Sequence, residues 1–155
     1  MAFGALSVKG RALRYLAQRE HSRRELERKL ARRVEDTEQA SAQQQIARAL
    51  DELAQAGLLS DTRTAASVLR SQGQRYGVRR LKQTLQAKGL DAELVSTTLQ
   101  QARGTELERA REVWQRRFGA PPDNATERAR QMRFLAGRGF EGDTIRRVVQ
   151  GTEDD

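Results

Sequence analysis

The sequence predicts an all-α protein, and three observations carry that expectation. The only two prolines stand together at Pro121-Pro122, apolar residues recur every three to four positions along most of the chain, and Ala, Leu, Gln, Glu and Arg outnumber β-branched and aromatic residues. Those five residue types lose little side-chain freedom in a helix, whereas strands favour the types that are scarce here.

The first helix is expected from about Ser7 to Arg19, with Ala12, Leu13, Leu16 and Ala17 on one stripe. His21-Ser22 interrupts it, and Ser22 with Glu25 fits the S-x-x-E capping box that opens a second helix. There Leu26, Leu30 and Val34 face inward, while Arg23, Arg24, Arg28 and Arg32 find acidic partners on their own helix. The segment from Glu35 to Ser41 reads as a polar, flexible connection, and Ile46, Ala49, Leu50, Leu53 and Ala54 give a third helix that stops at Gly57.

A second triplet follows. Ser60 and Asp61 can each cap a helix carrying Ala65, Val68 and Leu69, which breaks near Gly73 to Gly77. Val78, Leu81 and Leu85 form the apolar stripe of the next helix; Arg75, Arg79, Lys82 and Gln86 recur at i, i+4, i+7 and i+11 on a neighbouring face. Gly89 supplies a left-handed cap, and Asp91 opens a helix with Leu94, Val95, Thr98, Leu99 and Ala102.

In the third triplet Thr105 and Glu108 form a capping box before Leu107, Ala110, Trp114 and Phe118, with Trp114 in the core. Gly119 ends that helix. Asn124 and Glu127 open another, with Ala125, Ala129, Met132, Leu135 and Ala136 inward, and the last begins near Gly142 with Ile145, Val148 and Val149. Internal repetition supports the division: a shift of 50 aligns Leu85, Gly89, Leu90, Val95 and Leu99 with Leu135, Gly139, Phe140, Ile145 and Val149, and a shift of 55 aligns Leu26 and Leu30 with Leu81 and Leu85. The expectation is about nine helices in tandem three-helix repeats at 1–56, 57–104 and 105–150, a disordered tail at 151–155, and an elongated, curved monomer.

Several function classes fall away. No apolar run approaches the ~20 residues of a membrane span, the amino terminus lacks a secretory signal, and cysteine is absent; no membrane association and a cytoplasmic location are expected. There is no HExxH, P-loop, dinucleotide fingerprint or Cys/His ligand set, and the one histidine, His21, reads as a turn or capping residue. No catalytic residue, metal or cofactor is expected, and the protein reads as a non-enzyme.

A binding role fares better. The net charge is +8, and 25 of the 29 basic residues are Arg, whose planar guanidinium suits phosphate and carboxylate. Residues 1–56 hold 11 basic and 8 acidic groups, 57–104 hold 8 and 3, and 105–155 hold 10 and 10, so the excess is concentrated in the middle repeat. Arg75, Tyr76, Arg79, Arg80 and Lys82 are the first candidate contacts, with Arg70 from the preceding helix; Arg133, Arg138, Arg146 and Arg147 form a smaller basic set. A solvated helix surface is the plain alternative for each.

Three stretches in order, ALRYLAQREHSRRELERKL, LDELAQAGLLSDTRTAASVLRSQGQRYGVRRLKQTLQAKGLDAELVSTTL and MRFLAGRGFEGDTIRRVVQ, resemble the RecX family of bacterial recombination regulators. Two departures are the longer Glu35 to Gln45 connection and Thr64, where the family often places an aromatic residue. The resemblance implies a helical-repeat modulator of DNA repair and the SOS response. It would bind the RecA filament on single-stranded DNA, enter its groove, and suppress ATP hydrolysis, strand exchange and co-protease action. It also implies that the basic residues named above meet RecA or DNA, single-stranded in preference to duplex. A sequence-independent nucleic-acid binder without a RecA partner is the alternative.

Overall fold

The computed structural model describes residues 6–151. Among them the chain forms nine α-helices and no strand: α1 (Val8–Gln18), α2 (Arg23–Ala31), α3 (Ala42–Gln55), α4 (Asp61–Gln72), α5 (Val78–Ala87), α6 (Ala92–Arg103), α7 (Glu106–Arg117), α8 (Ala125–Gly137) and α9 (Gly142–Gln150). The all-α class and the order of three helix triplets follow the sequence expectation. Of the predicted disordered tail at 151–155, all but Gly151 lies outside the described residues.

The chain divides into two compact units, one comprising residues up to Thr64 with Lys88–Leu90, the other Ala65–Ala87 with Asp91 onward. In the first, α1, α2 and α3 pack on one another around Ala12, Leu26, Leu30, Ile46, Leu50, Leu53 and Leu59. Four of these leucines are fully buried (Leu26, Leu30, Leu50 and Leu53). Each removes its side chain from water at roughly 1.5–3 kcal/mol, which is what holds three short helices together. Ser22 and Glu25 close the expected capping box, and Ser41 with Gln44 closes another at the start of α3. The Glu35 to Ser41 connection is a hydrogen-bonded loop: the Ala42 N–H donates to Asp36 Oδ1 at 2.6 Å, the Thr37 N–H to the Ala40 carbonyl at 2.8 Å, and Gln45 Nε2 to the Glu35 carbonyl at 2.9 Å.

In the second unit α7, α8 and α9 pack together around Ala110, Val113, Leu135, Phe140, Ile145, Val148 and Val149, while α5 and α6 pair through a stripe that buries Val78, Leu81, Leu85, Val95 and Leu99. Asp91 and Asn124 cap α6 and α8 as expected. The Thr105–Glu108 capping box does not form. Thr105 is not extended (φ −119°, ψ 2°), its hydroxyl and its N–H both turn back to the Ala102 carbonyl, and α7 has no side-chain cap. Trp114 is half-buried, with its indole N–H donating to Gln131 Oε1 at 2.8 Å. On α8 Leu135 is buried and Met132 packs against the same core as expected, Gln131 is buried beside them, and Ala125 and Ala136 are exposed.

Candidate anion-binding site

Two turns in the second unit meet backbone to backbone. The turn from Gly73 to Gly77 joins α4 to α5, and Arg138-Gly139-Phe140 joins α8 to α9. The Gly77 N–H donates to the Arg138 carbonyl at 2.9 Å and the Arg79 N–H to the Gly139 carbonyl at 3.0 Å. A Cβ on Gly77 would lie 2.4 Å from Phe140 Cα, and Gly139 has φ +86° with its missing Cβ pointing 2.5 Å from Arg80 Cβ. Only glycine tolerates both the positive φ and the close approach. This crossing brings Arg138 to a residue 62 positions earlier in the chain, Tyr76.

Three guanidiniums converge on the half-buried Tyr76 ring: Arg80 at 4.3 Å from its centroid, Arg75 at 5.5 Å and Arg138 at 5.7 Å. Each such contact is worth about 0.5–2 kcal/mol, which offsets part of the repulsion between three like charges. None of the three has a carboxylate partner among the described residues. The site therefore offers fifteen guanidinium N–H groups, five on each Arg, and no anion of its own.

Two residues that the sequence reading passed over hold this arrangement from beneath. Arg109 Nη1 donates to the Gly73 carbonyl at 2.5 Å and the Tyr76 carbonyl at 2.7 Å, its Nη2 to the Ala102 carbonyl at 2.8 Å, and its Nε to Thr105 Oγ1 at 3.0 Å. Burial lowers the Arg109 pKa from its ordinary value, with Glu106 opposing that shift. Glu106, only 3% exposed, accepts from the Val78 N–H at 2.9 Å, the Thr144 hydroxyl at 2.8 Å and the Glu141 N–H at 3.3 Å. Its carboxylate thus sits at the starts of α5 and α9, where unpaired N–H groups and the helix dipoles favour negative charge. Partners 28 to 38 residues away leave no local trace in the sequence, which is why spacing alone missed both side chains.

Of the predicted contacts, the structure brings Arg75, Tyr76, Arg80 and Arg138 together. Arg75 does so from the turn, not from α5, so the cationic face of that helix consists of Arg79 and Lys82 with Gln86, all exposed. Arg70 on α4 and Arg133 on α8 are exposed and join no contact with the Tyr76 ring. Arg146 is engaged by Asp143 one turn earlier on α9, and Arg147 is exposed on the same helix.

The first unit contains the same junction with different electrostatics. Applying the shifts of 55 and 50, His21, Ser22 and Glu25 correspond to Tyr76, Gly77 and Arg80, and Lys88 corresponds to Arg138. Ser22 Oγ donates to the Lys88 carbonyl at 2.5 Å, as the Gly77 N–H does to that of Arg138. Here the charges close on themselves: Glu25 binds Arg19 at 2.9 Å and Lys88 at 3.3 Å. Burial pushes the Glu25 pKa up, but the Arg19 and Ser22 N–H hydrogen bonds and the nearby cations outweigh it and hold the group at about 2. His21 is fully buried, Nδ1–H donating to the Arg19 carbonyl at 3.0 Å and Nε2 accepting from Lys29 at 2.9 Å. Burial, with Arg19 and Lys29 close by, lowers its pKa and keeps the ring neutral.

Two family models match the chain. "RecX, second three-helix domain" matches residues 60–99 and "RecX, third three-helix domain" matches residues 105–149. A Regulatory protein RecX from Leptothrix cholodnii is 50% identical over 145 residues, covering 94% of this chain and 88% of that protein. One from Ralstonia nicotianae is 43% identical over 148 residues, covering 96% and 89%. The crystal structure of RecX from Lactobacillus salivarius shares the fold, with a TM-score of 0.75 at 21% identity over 93% of each chain. The chain therefore belongs to the RecX family of regulatory proteins.

Proposed function

We propose that the chain is a non-catalytic, cytoplasmic regulator of homologous recombination that binds the RecA recombinase assembled on single-stranded DNA. In this reading it lies in the groove of that filament and suppresses ATP hydrolysis, strand exchange and co-protease action, with the repeats at 1–56, 57–104 and 105–150 as successive contacts. Membership of a family of regulatory proteins and the resemblance of its motifs to recombination regulators support the reading. The observation that carries it is the set of Arg75, Arg80 and Arg138 around Tyr76, a concentrated positive charge that no described carboxylate neutralises. Such a surface suits a polyanion, whether DNA phosphate or an acidic protein face, and several weak patches on one chain multiply through effective concentration. Arg70, Arg79, Lys82, Arg133 and Arg147 would add exposed charge around it, and Arg146 would do so by exchanging Asp143 for the ligand.

The test is RecA ATP hydrolysis on single-stranded DNA as the protein is titrated in, with bare-DNA binding followed in the same salt. Inhibition at ratios too low to coat the DNA is the expected result. Inhibition only at DNA saturation would assign the protein to sequence-independent nucleic-acid binding instead, and no inhibition would remove the filament from the account.

A further inference from the structure

The cations around Tyr76 are one end of a longer strip. Arg138 also lies 5.2 Å from the centroid of Phe134, on α8. Phe134 is in turn covered by Arg117 at 5.2 Å and packs edge-on against Phe118 at 5.4 Å, with Arg130 5.3 Å from the Phe118 ring. Three half-buried rings thus alternate with five guanidiniums, and only Arg130 has a carboxylate partner among the described residues, Glu127. Phe118, Phe134, Arg117 and Arg130 belong to none of the basic sets singled out in the sequence.

We propose that this strip is a stacking surface for the unpaired bases of single-stranded nucleic acid. A guanidinium beside a ring is a planar, delocalised cation of the kind on which a nucleobase stacks, while its edge N–H groups reach the phosphates. Alternating aromatic and cationic groups along a positive surface are the common solution for binding single strands without reading their sequence. A duplex, with its bases already stacked, would meet only the edge N–H groups. The inference rests on the filament reading for its biological setting, yet it concerns bare nucleic acid and is tested there.

The experiment compares the full chain's affinity, by fluorescence anisotropy at low salt, for a twelve-nucleotide oligothymidylate and for an abasic strand with the same number of phosphates. Stacking predicts a preference of roughly tenfold or more for the strand with bases, with similar salt slopes because the phosphate contacts are shared. Phe134→Leu, which keeps apolar volume but removes the ring, should lose most of that preference. Equal affinity of the unmodified protein for the two strands overturns the proposal whatever the variant does, and so does a folded Phe134→Leu protein that keeps the full preference. The two readings fail separately. A base preference without any effect on RecA ATP hydrolysis would leave stacking and remove the filament, whereas inhibition of RecA with no binding to either bare strand would do the reverse.

Discussion

The Ser22–Lys88 junction of the first unit and the Gly77–Arg138 junction of the second are built alike, and they dispose of their charge in opposite ways. In the first, Glu25 stands at the register position where the second has Arg80, and it satisfies Arg19, Lys88 and the Ser22 N–H at once. In the second, Arg80 and Arg138 share a tyrosine ring, and Arg75 occupies the position that corresponds to Glu20, the partner of Arg63 in the first unit. One fold element therefore serves two ends. Where its charges cancel internally it contributes stability, and where arginines stand at the two acidic positions it leaves a positive field that no described carboxylate neutralises. The cost of that field is borne by Arg109 and Glu106, which hold the two turns and the helix starts beside them through five hydrogen bonds.

The largest effect is expected from Gly77→Ser, which installs the first unit's residue in the second. Its Cβ would fall 2.4 Å from the Phe140 backbone, and relieving that clash should cost about 3 kcal/mol or more, read as a lowered denaturation midpoint together with loss of RecA inhibition. A variant as stable as the parent would show that the two junctions are not as differently spaced as their glycines imply. Next comes Glu25→Arg, the reciprocal exchange. It places a guanidinium beside Arg19 and Lys88 and removes the acceptor of the Ser22 N–H, and about 2–3 kcal/mol should be lost. Inhibition of RecA below the melting temperature should be unchanged.

Acid sharpens the same contrast. His21 has a folded pKa below its ordinary 6.5 and Glu25 is lowered from 4.5 to about 2, so both contribute stability that is complete above their unfolded values. The unfolded chain binds more protons in each window, and stability should fall first as the pH drops below about 6.5 and again between about 4.5 and 2. Hydrogen exchange should locate the loss in α1 and α2; a loss confined to the second unit would contradict the assignment. The smallest effect expected is a gain. Thr64 is 1% exposed and its hydroxyl has no hydrogen-bond partner, so Thr64→Val should stabilise the protein by about 1 kcal/mol, measured by chemical denaturation.

How much of this was legible in the sequence follows from the range of the interactions. The capping box at Ser22–Glu25, the caps at Asp91 and Asn124, and the positive φ of Gly89 are set within four residues and are legible in the chain. Arg75, Tyr76 and Arg80 form a local cluster in the sequence, and Arg138 stands in a separate basic set. That these four share one ring depends on Gly77 meeting Phe140, a contact between segments 63 residues apart, which no local pattern encodes. The helical spacing of Arg75 to Arg79 places Arg75 on α5, although Tyr76-Gly77 breaks the helix between them. Glu106 was overlooked for a related reason: Thr105 and Glu108 fit a local rule, and the long-range demand of two buried helix starts for a carboxylate overrode it.

The central claim is that Arg80 is kept for an outside anion at the expense of an internal ion pair. Arg80→Glu tests it most directly, since it restores beside Arg138 the acidic residue that the first unit has beside Lys88. The variant's denaturation midpoint and its inhibition of RecA ATP hydrolysis on single-stranded DNA would be measured side by side. The account predicts stability equal to the parent or higher by up to about 1 kcal/mol, with inhibition weakened at least tenfold. Undiminished inhibition by a stably folded Arg80→Glu protein would contradict it.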